Sequence, residues 1–161
     1  MLDRQNLFAR ISASNQVTHK KLNKRRFMLG EKIGEISGKV TMHRVLPNLG
    51  GYPKMETSFQ ASGTVLGTNI KDTGTYVTIF RPDGTQYGEG QGIMITKDGK
   101  TATWTGHGVG TMHKDGTATY RGALYFQTMP PKWSRLNKVA VLFEYAVDAE
   151  GNTHSEYWEW K

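Results

Sequence analysis

The most informative stretch of this sequence is RPDGTQYGEGQGIMITKDGKTATWTGHGVGTMHKDGTATYRGALYFQT, residues 81–128. Three Asp-Gly turn signals, at 82–84, 97–99 and 114–116, separate segments rich in Thr, Val, Ile and aromatic residues. Such segments suit a pleated strand, and an Asp-Gly pair between two of them indicates a tight hairpin. The stretch therefore predicts four antiparallel strands connected by short turns.

The alternation of turn signals and strand-like segments continues on both sides of this stretch, with a further turn at 149–151. The full pattern predicts eight strands, near 31–46, 54–66, 73–81, 85–96, 100–113, 117–128, 137–148 and 152–160. Sequential antiparallel strands leave two exposed edges unless the sheet closes on itself, which removes both. We therefore expect an all-β fold, an eight-stranded antiparallel up-and-down barrel preceded by a short N-terminal helix.

The turns also predict which residues face each other. An x-Asp-Gly turn whose glycine is left-handed forms a three-residue loop with a G1 bulge. This geometry predicts the pairs Tyr76 with Gly90, Trp104 with Gly92, and Tyr120 with Gly110. An aromatic ring opposite a strand glycine restores packing over the bare backbone. A two-residue loop would destroy all three matches, so the pattern favours the bulged turns.

On this register one face of the four strands carries no charge, whereas the other carries Glu89, His107 and Arg121. The uncharged face should point inward, and its glycines should leave space for a ligand cavity. The predicted lining is Tyr76, Phe80, Trp104, Tyr120 and Phe126. Two alternatives stay open: a core in which the rings fill the space over the glycines, and an inverted barrel with the polar face inside.

The last hairpin contains the candidate catalytic pair, because its turn places Glu144 directly opposite Glu156. If these carboxyls were buried together, the pKa of one would rise and it could act as a general acid or base. If they point outward, salt screens their repulsion. Both faces of this hairpin are partly apolar, so periodicity leaves the choice open.

Three further residues are candidates for binding or proton transfer. Arg44 continues an apolar row of the first strand, so it could bind a ligand carboxylate at the barrel mouth or extend into solvent. His107 pairs with Glu89, as a proton shuttle or as a solvated ion pair. His107 and His113 are six residues apart on one strand, too far to share a metal ion, so we predict no metal and no cofactor.

The positive charge is concentrated at the N-terminus of the 161-residue chain. Residues 1–26 contain seven Lys and Arg against one acid, whereas the rest contains 14 basic and 13 acidic residues. We therefore expect two regions, an N-terminal helix and basic arm over 1–29 and a barrel domain over 30–161. The arm could be a solvated linker, a contact to a polyanion, or a targeting segment.

Composition excludes several classes of protein. The chain has no cysteine, which excludes a disulfide scaffold and a thiolate nucleophile. It has no apolar run long enough for a transmembrane helix and no secretory signal after Met1. We therefore expect a cytoplasmic protein.

The Gly-x-Gly strands GEGQG and TGHGVG, followed by TYRGALYFQT, carry a family resemblance. Residues 33–160 resemble the calycin-like barrels, and among them the allene-oxide-cyclase-like group, which includes uncharacterised bacterial members. The resemblance implies an apolar cavity and self-association, and it assigns no catalytic residue.

The expected function is the binding of a small amphipathic or hydrophobic molecule inside the barrel. One alternative is a cofactor-free isomerase or cyclase in which Glu144 or Glu156 moves a proton. The other is a structural barrel whose basic arm contacts a polyanion.

Overall fold

A computed structural model describes residues 29–49, 51–128 and 130–160. The eight strands are β1 (Lys32–Leu46), β2 (Lys54–Val65), β3 (Thr68–Phe80), β4 (Thr85–Thr96), β5 (Thr101–Met112), β6 (Ala118–Thr128), β7 (Val141–Val147) and β8 (Asn152–Glu159). Each strand pairs antiparallel with the next, and β8 pairs with β1, so the sheet forms a closed barrel. The predicted all-β, eight-stranded barrel is confirmed. The predicted N-terminal helix and basic arm lie outside the described residues.

Two connections differ from the sequence prediction. β3 begins at Thr68, because the tight turn at Leu66 and Gly67, both with positive φ, follows β2 directly. Asp72, which the prediction left in a loop, is therefore a strand residue. Between β6 and β7, Pro131–Lys138 forms a 3-10 helix, η1, where the prediction began a strand at 137.

The predicted hairpin register is confirmed. The backbone N–H of Arg81 donates to Thr85 O at 3.0 Å, and the turn glycine, Gly84, has φ 81°. All three predicted aromatic–glycine pairs are observed, including Trp104 opposite Gly92. The inward-facing residues of the middle strands are those of the uncharged face, so the alternative of an inverted barrel is wrong.

The two ends of the barrel are built differently. The closed end contains the β2–β3 and β4–β5 hairpins and η1, whose Trp133 and Leu136 are 1% and 0% exposed. Both side chains belong to the buried hydrophobic core, together with Met94 and Val141. The open end contains the other four hairpins. Within the described ranges, no helix is long and apolar enough to cross a membrane.

A β-bulge in β1 decides between the two alternatives for Arg44: the ligand-binding position at the barrel mouth is wrong, and the side chain extends into solvent. The register of β1 against β2 shifts between Val40 and Met42, so one extra residue reverses the alternation of faces. His43 consequently pairs with the buried Thr57, whereas Arg44 lies on the outer wall. Its guanidinium forms an ion pair with the Glu56 carboxylate at 2.8 Å.

Candidate functional site at the open end

A pocket of about 520 Å³ occupies the open end of the barrel. Its walls are partly apolar, with Met55, Phe80 and Met112 among the lining side chains. Its lower wall includes Tyr76 and Tyr120, which also line a smaller cavity of about 70 Å³ deeper in the barrel. Ligand sites in proteins are commonly about 300–1,000 Å³. The mouth pocket therefore has room for a small organic molecule, whereas the inner cavity has room for about two water molecules.

Tyr76 and Tyr120 line both cavities, and Tyr145 lines the inner one beside them. We call these three residues the tyrosine floor. Their ring centroids are 5.8–6.3 Å apart, within the range of favourable aromatic contacts. The hydroxyls of Tyr76 and Tyr145 are 3.4 Å apart, within hydrogen-bonding distance. Because each ring is contributed by a different strand, the barrel as a whole fixes the floor.

Other polar groups on the inner wall support the floor. The Tyr120 hydroxyl donates to Gln86 Oε1 and lies 3.4 Å from Thr78 Oγ1. His43 Nδ1 lies 3.0 Å from Thr57 Oγ1 at the rim. The pocket therefore combines apolar walls with hydroxyl and amide groups below and an imidazole at the rim, a composition that suits an amphipathic molecule.

Burial sets the protonation state of the tyrosine floor. Removal from water raises the pKa of Tyr76, Tyr120 and Tyr145 above the usual value of phenols, and hydrogen bonding only partly offsets this for Tyr76 and Tyr120. The three phenols are therefore neutral at physiological pH. A neutral phenol can donate a hydrogen bond to a carbonyl, ether or hydroxyl oxygen.

The aromatic rings fill most of the space over the inner glycines. A Cβ at Gly92 would lie 2.5 Å from Trp104, and one at Gly110 would lie 2.4 Å from Tyr120. Gly88 differs, because its nearest neighbour would be Tyr120 Cε1 at 3.7 Å. Below the tyrosine floor the aromatic rings therefore fill most of the interior, as the filled-core alternative predicts. The larger open space lies at the mouth of the barrel.

Asp72 is the most deeply buried carboxylate among the described residues, with 1% of its surface exposed against 7% for Glu159. Trp104 Nε1 donates to Asp72 Oδ1 at 3.0 Å, while Oδ2 has no hydrogen-bond partner. Desolvation raises the pKa of Asp72 to about 7, and the hydrogen bonds from Trp104 and the Thr73 backbone oppose this rise. Asp72 lines neither cavity, so its carboxyl does not reach the pocket.

The predicted binding residues divide by depth in the barrel. Tyr76, Tyr120 and Phe80 line the mouth pocket, and Trp104 lines only the inner cavity. Phe126 belongs to the buried core and lines neither cavity. Arg44 is on the outer wall, so the predicted contact to a ligand carboxylate has no geometric basis.

The predicted catalytic carboxylates face outward. Glu144 and Glu156 are direct neighbours, as predicted, but Glu144 Oε1 accepts from Arg121 Nε at 2.8 Å on the surface. Glu156 accepts from Lys32 Nζ, which also binds Glu35. The inward positions of this hairpin are Phe143, Tyr145, Ser155 and Tyr157, so the pair lacks the burial on which its predicted role depended.

Several site residues were missed from the sequence. Tyr145 lies in the last hairpin, whose two faces are both partly apolar, so its inward direction follows only from closure of the barrel. Asp72 could have been found by extending the inward row Gly74, Tyr76 and Thr78 two residues backwards. His43 enters the site only because of the bulge. Among the residues that the structure describes, no group of three or more His, Asp and Glu side chains could hold a metal ion.

Comparisons with known proteins show the fold alone. No family model and no curated protein matches the chain. A protein of unknown function from Clostridium acetobutylicum ATCC 824 is similar in structure, with a TM-score of 0.70 at 16% identity over 81% of this chain and 98% of that chain. A conserved protein of unknown function from Rhodopseudomonas palustris has a TM-score of 0.69 at 13% identity, covering 80% and 95%. A beta-barrel like protein from Acinetobacter baumannii AYE has a TM-score of 0.70 at 12% identity, covering 81% and 94%.

Proposed function

We propose that the barrel binds a small, uncharged amphipathic molecule at its open end. The observation that carries this proposal is the mouth pocket of about 520 Å³, where the hydroxyls of the tyrosine floor lie beneath apolar walls. An oxygen of the ligand would accept a hydrogen bond from Tyr76, because the Tyr120 hydroxyl already donates its proton to Gln86. The hydrocarbon part would contact Met55, Phe80 and Met112.

The charges around the pocket favour an uncharged ligand. Among the described residues that line it, none is Lys or Arg, whereas Asp148 and Glu150 lie at the rim. An anion on the tyrosine floor would lose its hydration without gaining a cationic partner, and burial of an unpaired charge is costly. We therefore expect ketones, esters or alcohols to bind more tightly than the corresponding carboxylates.

The calycin-like, allene-oxide-cyclase-like resemblance stays part of this proposal. The closed eight-stranded meander supports it at the level of architecture. A cofactor-free isomerase has less support, because Glu144 and Glu156 are outside the barrel and Asp72 does not line the pocket.

A competition titration tests the proposal. The neutral fluorophore N-phenyl-1-naphthylamine is added to saturation and displaced by 2-decanone or by decanoate. We expect 2-decanone to displace the probe at one molecule per chain, and decanoate to bind at least about tenfold more weakly because its charge is unpaired. No saturable displacement by 2-decanone would contradict the proposal.

A pair of variants tests the role of the floor. Tyr76→Phe keeps the ring and removes the donor, so affinity for 2-decanone should fall about three- to tenfold. Tyr87→Phe is the matched control, because the Tyr87 hydroxyl bonds His107 Nδ1 at 2.8 Å on the outer wall. Equal affinities of Tyr76→Phe and the control would contradict the assigned contact.

A further inference from the structure

Three polar side chains form a row across the inner face of β1, β2 and β3 at the mouth of the barrel. His43 pairs with Thr57, and Thr57 pairs with Tyr76, so the three residues are cross-strand neighbours. Neighbouring strands are about 4.8 Å apart, which separates the backbones of the imidazole and phenol residues by about 10 Å. All three residues line the mouth pocket. A molecule in the pocket can therefore contact an imidazole and a phenol at the same time.

The hydrogen bonds along this row have a defined direction. Burial raises the pKa of Tyr76, and hydrogen bonds from the Tyr145 and Thr57 hydroxyls oppose this rise, so the Tyr76 oxygen is the acceptor of both. The hydroxyls of Tyr76 and Tyr145 are 3.4 Å apart. With two hydrogen bonds accepted, the proton of Tyr76 remains for donation to an oxygen of the ligand.

The same direction determines the tautomer of His43. Nδ1 of this imidazole lies 3.0 Å from Thr57 Oγ1. Because Thr57 uses its single proton toward Tyr76, its oxygen accepts from His43, and Nδ1 carries the imidazole proton. The other ring nitrogen, Nε2, is then unprotonated and has a lone pair that can accept a proton. His43 is exposed at the rim, so its imidazole can also exchange protons with water.

We infer that the mouth pocket catalyses the enolisation of a bound ketone, with His43 as the general base and Tyr76 as the hydrogen-bond donor. This inference rests on the proposed binding function and adds a reaction to it. Histidine is the commonest general base in enzymes. A donor aimed at the oxygen on which charge develops stabilises the transition state further. The base is neither Glu144 nor Glu156, so the outward direction of those carboxylates does not affect this reaction.

The proton transfer is balanced and requires no oxidant or reductant. Nε2 of His43 removes a proton from the carbon beside the carbonyl group, and the electron pair of that C–H bond forms a carbon–carbon double bond. The carbonyl π electrons move to the oxygen, where the hydrogen bond from Tyr76 stabilises the negative charge. The imidazolium then returns a proton to the carbon. Because the imidazolium first exchanges with solvent, enolisation in heavy water places deuterium in the ketone.

Deuterium incorporation into 2-decanone tests this inference. The full chain is mixed with a saturating concentration of 2-decanone in heavy water, and proton NMR follows the loss of the signals beside the carbonyl group. We expect bound ketone to exchange at least about a hundredfold faster than free ketone, and His43→Gln to slow the exchange at least about tenfold. Saturation with the ketone removes any change in affinity from this comparison.

His113→Gln is the matched control. Nε2 of His113 lies 3.1 Å from another threonine hydroxyl, that of Thr119, but His113 does not line the pocket. We expect this variant to exchange the ketone at the parent's rate. Thr57→Val adds a test of the row itself, because it keeps the shape of the side chain and removes the hydroxyl between imidazole and phenol. Exchange at saturation should then slow about three- to tenfold.

Two results would overturn the inference. The first is displacement of the naphthylamine probe by 2-decanone without exchange above the rate in buffer, in which case the binding function stands without the reaction. The second is exchange that His43→Gln and His113→Gln slow equally. Failure of 2-decanone to displace the probe contradicts the proposed function itself and this inference with it, so the two failures are distinguishable.

Discussion

The open and closed ends of this barrel are formed by the same eight strands but differ in how completely their interior is packed. At the closed end, η1 inserts Trp133 and Leu136 into the core, and both side chains are almost completely removed from water. At the open end, no comparable plug covers the interior among the described residues, and the inner wall presents hydroxyls instead of packed hydrocarbon. The comparison indicates that the closed end is the better packed of the two, and the open end is the one at which we propose ligand binding.

The first prediction compares one large side chain from each end. Trp133→Ala should lower the free energy of unfolding by about 3–5 kcal/mol, because it leaves a cavity beneath η1 that the sheet cannot fill. Met112→Ala, at the half-exposed rim, should change it by less than about 0.5 kcal/mol. Urea unfolding measures both. Similar losses for the two variants would remove the distinction between a stabilising end and a binding end.

The second prediction concerns Asp72, the buried acid below the tyrosine floor. Its folded-state pKa of about 7 lies above the unfolded value of about 3.9, so the folded chain binds the proton more tightly. The free energy of unfolding should therefore fall as pH rises from about 4 to about 7, by about 2–3 kcal/mol between pH 5 and pH 8.

Asp72→Asn removes this titration while keeping an oxygen for Trp104 to bind. The variant should show almost no change in the free energy of unfolding between pH 5 and pH 8. Carboxyls whose pKa is lowered, such as those of Asp83 and Asp115, titrate below this window and do not mask the effect. An equal pH dependence in the parent and the variant would show that Asp72 is not the group responsible.

The third and smallest prediction compares two glycines of β4. Gly92→Ala should cost about 1–3 kcal/mol, because the new methyl would collide with the Trp104 ring. Gly88→Ala should be neutral or slightly stabilising, because its methyl would make ordinary contact with Tyr120. Thermal unfolding of the two variants decides whether the rings fill the interior as tightly as the distances indicate.

The parts of this fold that follow local rules could be predicted from the sequence. The Asp-Gly turns determine hairpin geometry within a few residues, so they gave the strand pairs and the aromatic–glycine contacts. The face assignment followed because a charged row cannot line a narrow barrel without partners. These inferences needed only short-range chemistry.

The errors came from features that local patterns do not encode. The β1 bulge reversed the direction of Arg44 and moved His43 to the mouth, and a bulge has no strong signal in a strand without glycine at that position. The direction of Glu144 and Glu156 depended on closure between β1 and β8, a contact between the two ends of the domain. The plug formed by η1 was missed because its apolar residues are few, although each is buried completely.

A nitrogen–proton NMR correlation map during a titration with 2-decanone tests the central claim most directly, because it reports both ends of the barrel in one experiment. We expect saturable shifts of the backbone amides of Gln86, Gly116 and Gly151 around the mouth pocket. The amides of Trp133 and Leu136 should not move. Shifts concentrated at the closed end, or no saturable shift at the mouth, would contradict the assignment of the open end as a ligand site.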